Sequence, residues 1–241
     1  AKADVRLASF DGGIKHNAVP GNAEVVFATD KFDSLKEGLD ALIADLKEEY
    51  RVEDPGLTVN ITEATADQVY TKDLSDSVID MIMALPDGVQ YMSKDIEGLV
   101  QTSLNNAVIL EEDGKLVLTA SVRSASSSSL REILNVVTII ANRMGAVARE
   151  YSAYPAWQYE AVSPLRDIAE KIYVDMYGKE PHITSIHAGL ECGLLKGILP
   201  DTDMISYGPS IFDAHTPKEH MHISSVGRVW EYTKKLLAAL K

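Results

Sequence analysis

Residues 5–13 alternate, with Val5, Leu7 and Ser9 against Arg6, Ala8 and Phe10, and end in Asp11-Gly12-Gly13. That pattern predicts a strand running into a turn. A second strand is expected over residues 23–29, after the loop His16-Asn17-Ala18-Val19-Pro20. Ser34-Leu35-Lys36-Glu37 has the form of a capping box, and Leu35, Leu39, Leu42, Ile43 and Leu46 follow at helical spacing. Asp54-Pro55-Gly56 interrupts the helix, and residues 57–61 return to strand alternation. The order is β-β-α-β.

The same order recurs further on. Residues 98–110 and 115–122 read as strands joined at Glu112-Asp113-Gly114, a hairpin turn. Ser129-Leu130-Arg131-Glu132 is a second box, followed by Leu130, Ile133, Val137, Ile140 and Met144 on one helical face. Gly145 stops that helix, and residues 146–151 read as the closing strand. A further helix is expected over residues 74–85, between the two copies. Two such units fit one sheet with helices on one face, an α+β layer. The layer leaves a sheet edge that pairing with a second subunit would cover.

After Trp157 the character changes. Pro164-Leu165 opens a helix with Leu165, Ile168, Ile172 and Met176 on one side and Gly178 at its end. Short strands are expected over residues 183–187 and 204–208, a helix over 190–197, and a loop over 209–222. A final helix carries Val226, Val229, Trp230, Leu236, Leu237 and Leu240. These elements look like half of an α/β sandwich, too small to bury a core alone. More strands must come from elsewhere.

Composition narrows the function classes. A chain of 241 residues with 46% apolar and 24% charged positions is ordinary globular usage. A net charge of −13 opposes wholesale binding to nucleic acid or to an anionic membrane. No apolar run approaches the roughly 18 residues of a membrane span. The single cysteine, Cys192, excludes an internal disulfide framework and fits a reducing compartment, so a cytoplasmic protein is expected. Nothing beside Cys192 marks a thiolate-lowering partner, so it is not read as a nucleophile.

Histidine is the main chemical clue. Five of the six lie late in the chain: His182, His187, His215, His220 and His222. Imidazole is the commonest metal ligand and the usual acid or base near neutral pH, but most single histidines are surface or hydrogen-bonded core residues. The segment Gly208-Pro209 … Ala214-His215-Thr216-Pro217-Lys218-Glu219 places one where a strand ends, a usual position for ligands in α/β sheets. His220 and His222, two apart, are weak evidence for a chelate.

That segment, with His187-Ala188-Gly189-Leu190-Glu191-Cys192-Gly193-Leu194, resembles the C-terminal part of aminoacyl-histidine (Xaa-His) dipeptidases. These belong to the two-zinc metallopeptidases that include carnosinases and carboxypeptidase G-type enzymes. Gly12-Gly13-Ile14-Lys15-His16-Asn17-Ala18-Val19-Pro20, Thr102-Ser103-Leu104-Asn105 and Ser121-Val122-Arg123-Ser124 are similar to motifs of that family's lid. The resemblance implies a lid and dimerisation domain over residues 1–157, built from the repeated units. It implies the C-terminal portion of an α/β zinc-peptidase catalytic domain over residues 158–241. It makes His215 a zinc ligand and Asn17, Asn105 and Arg123 substrate-binding residues for a dipeptide. A guanidinium grips a terminal carboxylate bidentately, and amide donors add orientation. On the residues alone, Arg123 is equally a solvated strand residue, and the two asparagines are turn residues holding backbone groups.

The family places its remaining metal ligands and a catalytic glutamate upstream of the lid, and no such segment occurs in these 241 residues. The expectation is therefore a homodimeric zinc dipeptidase when whole, with two ions, and an inactive fragment as it stands. No catalytic residue is assigned within the chain. Two other readings stay open: an amidohydrolase on N-acyl amino acids, and a non-catalytic dimerisation or ligand-binding module.

Overall fold

The first alternating segment forms β1 (Val5–Gly12), antiparallel to β2 (Ala23–Thr29). Leu7 faces Phe27 and Ser9 faces Val26, so Ala8 is the extra residue of a bulge. The computed structural model describes residues 4–152, 155, 157–184, 191–214 and 218–240. The chain divides into two compact units: residues 1–88, 104–122 and 133–149, and residues 89–103, 123–132 and 150–241.

In the first unit, α1 (Phe32–Glu49) begins ahead of the expected box. Lys31 is its N-cap, without a side-chain hydrogen bond, because the Thr29 hydroxyl accepts from the Lys31 N–H at 3.2 Å and turns the chain early. Ser34 therefore lies inside the helix. Leu35, Leu39, Ile43 and Leu46 are half-buried, whereas Leu42, at the edge of that stripe, is exposed. The helix α2 (Lys72–Ala84) is capped by Thr71, whose hydroxyl accepts from the Leu74 N–H. It packs on β1 through Ser75, a wholly buried hydroxyl that accepts from the Leu7 N–H at 3.0 Å.

The strands β3 (Gly88–Met92), β4 (Val100–Glu112) and β5 (Lys115–Ser124) complete a five-stranded sheet. Its order is β2-β1-β4-β3, with β5 also paired to β4. The β4–β5 turn has both central residues at positive φ, Asp113 at 51° and Gly114 at 67°, the conformation that the twist of a tight hairpin demands. Along β4 the buried parity changes. Thr102 and Leu104 are buried before Asn105-Asn106, and Ala107 and Ile109 after it. A one-residue shift of this kind turns side chains to the opposite face.

The helix α3 (Ser127–Arg143) also starts early. Ser126, not Ser129, caps it, its hydroxyl accepting from the Ser129 N–H at 3.4 Å. The element order is thus β-β-α in each copy, and the expected third strand is missing from both. No strand forms at residues 57–61 or 146–151. Alternation marks a segment able to pair; it becomes a strand only where another backbone offers a ladder.

In the second unit, α4 (Pro164–Tyr177) follows the sequence closely. The Ser163 hydroxyl accepts from the Arg166 N–H, Pro164 opens the first turn, and Gly178 closes the helix at φ 67°. Asp203 secures this end, one carboxylate oxygen accepting from the Ser163 hydroxyl at 2.7 Å and the other from the Leu165 N–H at 2.8 Å. Desolvation opposes its ionisation, but these hydrogen bonds and Arg166 outweigh it and hold the carboxyl below its usual range.

Ala169 of α4 packs with Tyr232 and Leu236 of α6 (Ile223–Ala239), bordered by Ile168, Ile172 and Ile205. The Tyr232 hydroxyl donates to the Ala169 carbonyl at 2.9 Å. Between these helices lie α5 (Glu191–Ile198) and a two-stranded ribbon, β6 (Ile211–Phe212) and β7 (His220–Met221). Residues 204–208 form no strand, and of residues 183–187 the described pair, Ile183 and Thr184, is not in one either. Residues 185–187 lie outside the described residues.

Candidate functional site

The loop after β1 is seated directly on β4. Gly13 has φ 72°, and a Cβ placed there would stand 1.8 Å from the Ala107 carbonyl oxygen, so only glycine lets the two backbones meet. The Gly13 N–H donates to the Asn22 carbonyl at 3.0 Å and closes the loop at its base. A tight turn carries its tip, with the Ala18 N–H on the Lys15 carbonyl at 3.2 Å. Asn17 sits exposed in that turn, beside an exposed His16. The Asn105 amide nitrogen donates to the Ala18 carbonyl at 2.9 Å. The two asparagines singled out in the sequence are therefore brought to one place, with Asn105 tethering the loop that presents Asn17.

Arg123 belongs to the other unit, exposed near the end of β5. The same unit has a shallow polar cleft lined by Ser93, Gln101, Ser126 and Tyr159 among others. The Ser93 hydroxyl there accepts from the Asp95 and Ile96 N–H groups, and Ser126 caps α3, so both groups serve the backbone.

His215 lies outside the described residues, as does His187. The structure does show what holds the ends of the 209–222 segment. Sequence alone suggests an open loop; instead β6 and β7 pair antiparallel, Ile211 with Met221 and Phe212 with His220. The Phe212 and His220 rings stack at 5.2 Å, and His220 Nδ1 is 2.9 Å from the Lys218 carbonyl oxygen. Below the ribbon the His222 N–H donates to the Ser210 carbonyl at 3.0 Å.

Ser225 joins both ends. Its buried hydroxyl accepts from the Ser210 N–H at 2.9 Å and donates to the His222 carbonyl at 2.6 Å. Sequence reading passed over this residue; its one signal was a hydroxyl in the first turn of a helix, where such groups commonly bond backbone. Ser225→Ala is expected to cost about 1–3 kcal/mol by stranding the Ser210 donor. Thermal unfolding reads the loss, and amide exchange should rise across residues 210–222. Unchanged exchange there would show that the ribbon closes without Ser225.

His220 and His222 do not act as a pair. The first turns to the Lys218 carbonyl and the second lies 3.4 Å from the Ser224 hydroxyl. Among the described residues no group of three His, Cys, Asp or Glu side chains is placed to hold a metal ion. A catalytic zinc needs about three protein ligands, so the described residues do not fit one by themselves.

No family model matches the chain. It is 35% identical over 237 residues to the cytosol non-specific dipeptidase of Escherichia coli K12, an alignment covering 97% of this chain and 49% of that protein. Its fold matches the crystal structure of aminoacylhistidine dipeptidase from Vibrio alginolyticus with a TM-score of 0.89 at 36% identity, over 98% of this chain and 49% of that one. The chain resembles aminoacylhistidine dipeptidase. The chain spans about half the length of these two dipeptidases, and both are peptide hydrolases by name. The E. coli dipeptidase is described as cytosolic, and no described helix here is long and apolar enough to cross a membrane.

Proposed function

We propose that these 241 residues form one part of a cytoplasmic dipeptidase that hydrolyses Xaa-His-type dipeptides with two zinc ions. The observation that carries this reading is the joint agreement of sequence and backbone with aminoacylhistidine dipeptidase along nearly the whole chain. Residues 1–157 serve as lid and homodimer contact, and residues 158–241 as the C-terminal portion of the catalytic domain. His215 supplies one metal ligand. The other ligands lie outside the described residues, so no step of the reaction is derived through the metal.

The described side chains bind and orient. Arg123 forks the terminal carboxylate of the dipeptide, a pairing that a planar guanidinium makes bidentately. Asn17 offers an amide from an exposed turn. Asn105 acts through that turn, since its amide nitrogen is engaged by the Ala18 carbonyl. Alone, the chain does not hydrolyse dipeptides, because a single histidine cannot assemble a metal centre.

The test uses a chimaera in which this chain replaces the matching half of the E. coli dipeptidase. Zinc-loaded chimaera should cleave Xaa-His dipeptides, and the 241-residue chain should not. Faster turnover of N-acetyl amino acids than of dipeptides would overturn the reading in favour of an amidohydrolase. Equal turnover of dipeptides with and without a C-terminal histidine would assign the broader specificity that the E. coli dipeptidase has by name.

A further inference from the structure

One side-chain amide in the first unit is bonded through its nitrogen alone. The Asn106 amide nitrogen donates to the Pro86 carbonyl at 3.0 Å, and the Asn106 backbone N–H donates to the Asp87 carboxylate at 2.9 Å. Its Oδ1 is buried and, among the described residues, has no partner. A stranded buried acceptor costs about 1–3 kcal/mol, a penalty that an apolar side chain of similar size does not carry. What asparagine supplies here is a second donor. Both donors reach the same turn, which leads from the end of α2 into β3.

This grip falls at the break in β4. Leu104 and Ala107 are both buried, so two residues stand between them where strict alternation allows one. The neighbours of Asn106 on either side both hold the 13–22 loop. The Asn105 amide nitrogen donates to the Ala18 carbonyl at 2.9 Å, and the Ala107 carbonyl oxygen lies against Gly13. Moving the break by one residue would turn Asn105 towards the face that Asn106 occupies and take the tether from the loop.

Resting on the dipeptidase reading above, we propose that Asn106 is a positioning residue for substrate binding. Anchored on Pro86 and Asp87, it fixes the break in β4 so that Asn105 meets Ala18 and the tethered turn presents Asn17 to the dipeptide. Asn106 touches no substrate and acts through Asn105.

Two variants release the grip in different ways. Asn106→Leu removes the side-chain donor together with the stranded acceptor. Asp87→Ala, at an exposed position, removes the acceptor of the backbone N–H. Each should raise the KM of the zinc-loaded chimaera for an Xaa-His dipeptide about 10-fold, with kcat within about 2-fold, the signature of lost uniform binding. Asp87→Asn keeps an acceptor and should recover most of the Asp87→Ala loss. In an Asn105→Ala background, Asn106→Leu should add less than about 2-fold to KM, because residues acting in series do not add. In the 241-residue chain, NMR should show the Asn105 side-chain amide protons moving towards free-amide positions in both variants, while thermal unfolding stays cooperative.

An Asn106→Leu chimaera whose KM matches its parent would overturn the assignment, as would an undiminished KM rise on top of Asn105→Ala. A lowered Tm with KM unchanged would make Asn106 a stabilising residue only. Moved amide protons beside a parent chimaera that cleaves no dipeptide would leave the positioning role standing and remove the activity. An active parent in which Asn106→Leu leaves the Asn105 amide unmoved would do the reverse.

Discussion

His215→Ala in the chimaera is expected to reduce dipeptide hydrolysis by about 1,000-fold or more, roughly 4 kcal/mol of lost transition-state stabilisation. The ends of the segment that carries this residue are held by contacts among described residues. The β6–β7 ribbon, the Ser210–His222 backbone bond and the buried Ser225 hydroxyl are made by residues 210–212 and 220–225. Truncating the side chain therefore removes a donor while leaving the ribbon intact, and the Tm of the 241-residue chain should not move. Zinc content, measured by atomic emission on the purified chimaera, should fall from two ions towards one. An unchanged rate with unchanged zinc would remove His215 from the metal centre.

Gly13→Ala is expected to be the most destabilising single substitution in the first unit, at about 3 kcal/mol or more. Two costs combine. An L-residue at φ 72° pays about 1–2 kcal/mol for left-handed backbone, and overpacking a filled site adds about 1–3 kcal/mol. Neither side can yield cheaply. The obstacle is the Ala107 carbonyl, main chain of a strand whose Ala107 side chain is wholly buried. Urea unfolding of the 241-residue chain measures the loss as a lower midpoint at constant slope. The same substitution should loosen the 13–22 loop, displace Ala18 from the Asn105 amide, and raise the KM of the chimaera. A midpoint within experimental error of the parent would mean that the loop does not sit on β4 in solution.

These two residues show how differently a site is written into a chain. Gly12-Gly13 was readable as a turn, but that Gly13 alone meets a carbonyl of a strand some 90 residues later was not. Asn105 was singled out as a substrate residue, and the structure gives its amide nitrogen a backbone partner, Ala18, across the same gap. Ser225 is nearly silent in the sequence, because a serine among helix-entry residues is unremarkable until both ends of a loop converge on it. Asp203 was equally silent, since its partners lie 38 and 40 residues earlier.

Several local determinants were legible, although both capping boxes place their helix starts three residues late. The Ser163-Pro164 entry and Gly178 exit of α4, the Asp113-Gly114 hairpin and the stripe of α3 all depend on residues within a few positions of one another. By itself the sequence determined the α+β class, the order of helices and strands through most of the chain, and the likeness to a dipeptidase. Only the tertiary structure decided which alternating segments became strands. Residues 57–61, 146–151 and 204–208 have the right pattern and no ladder, because pairing needs a second backbone at about 5 Å and the period of a sequence carries no record of where that backbone runs.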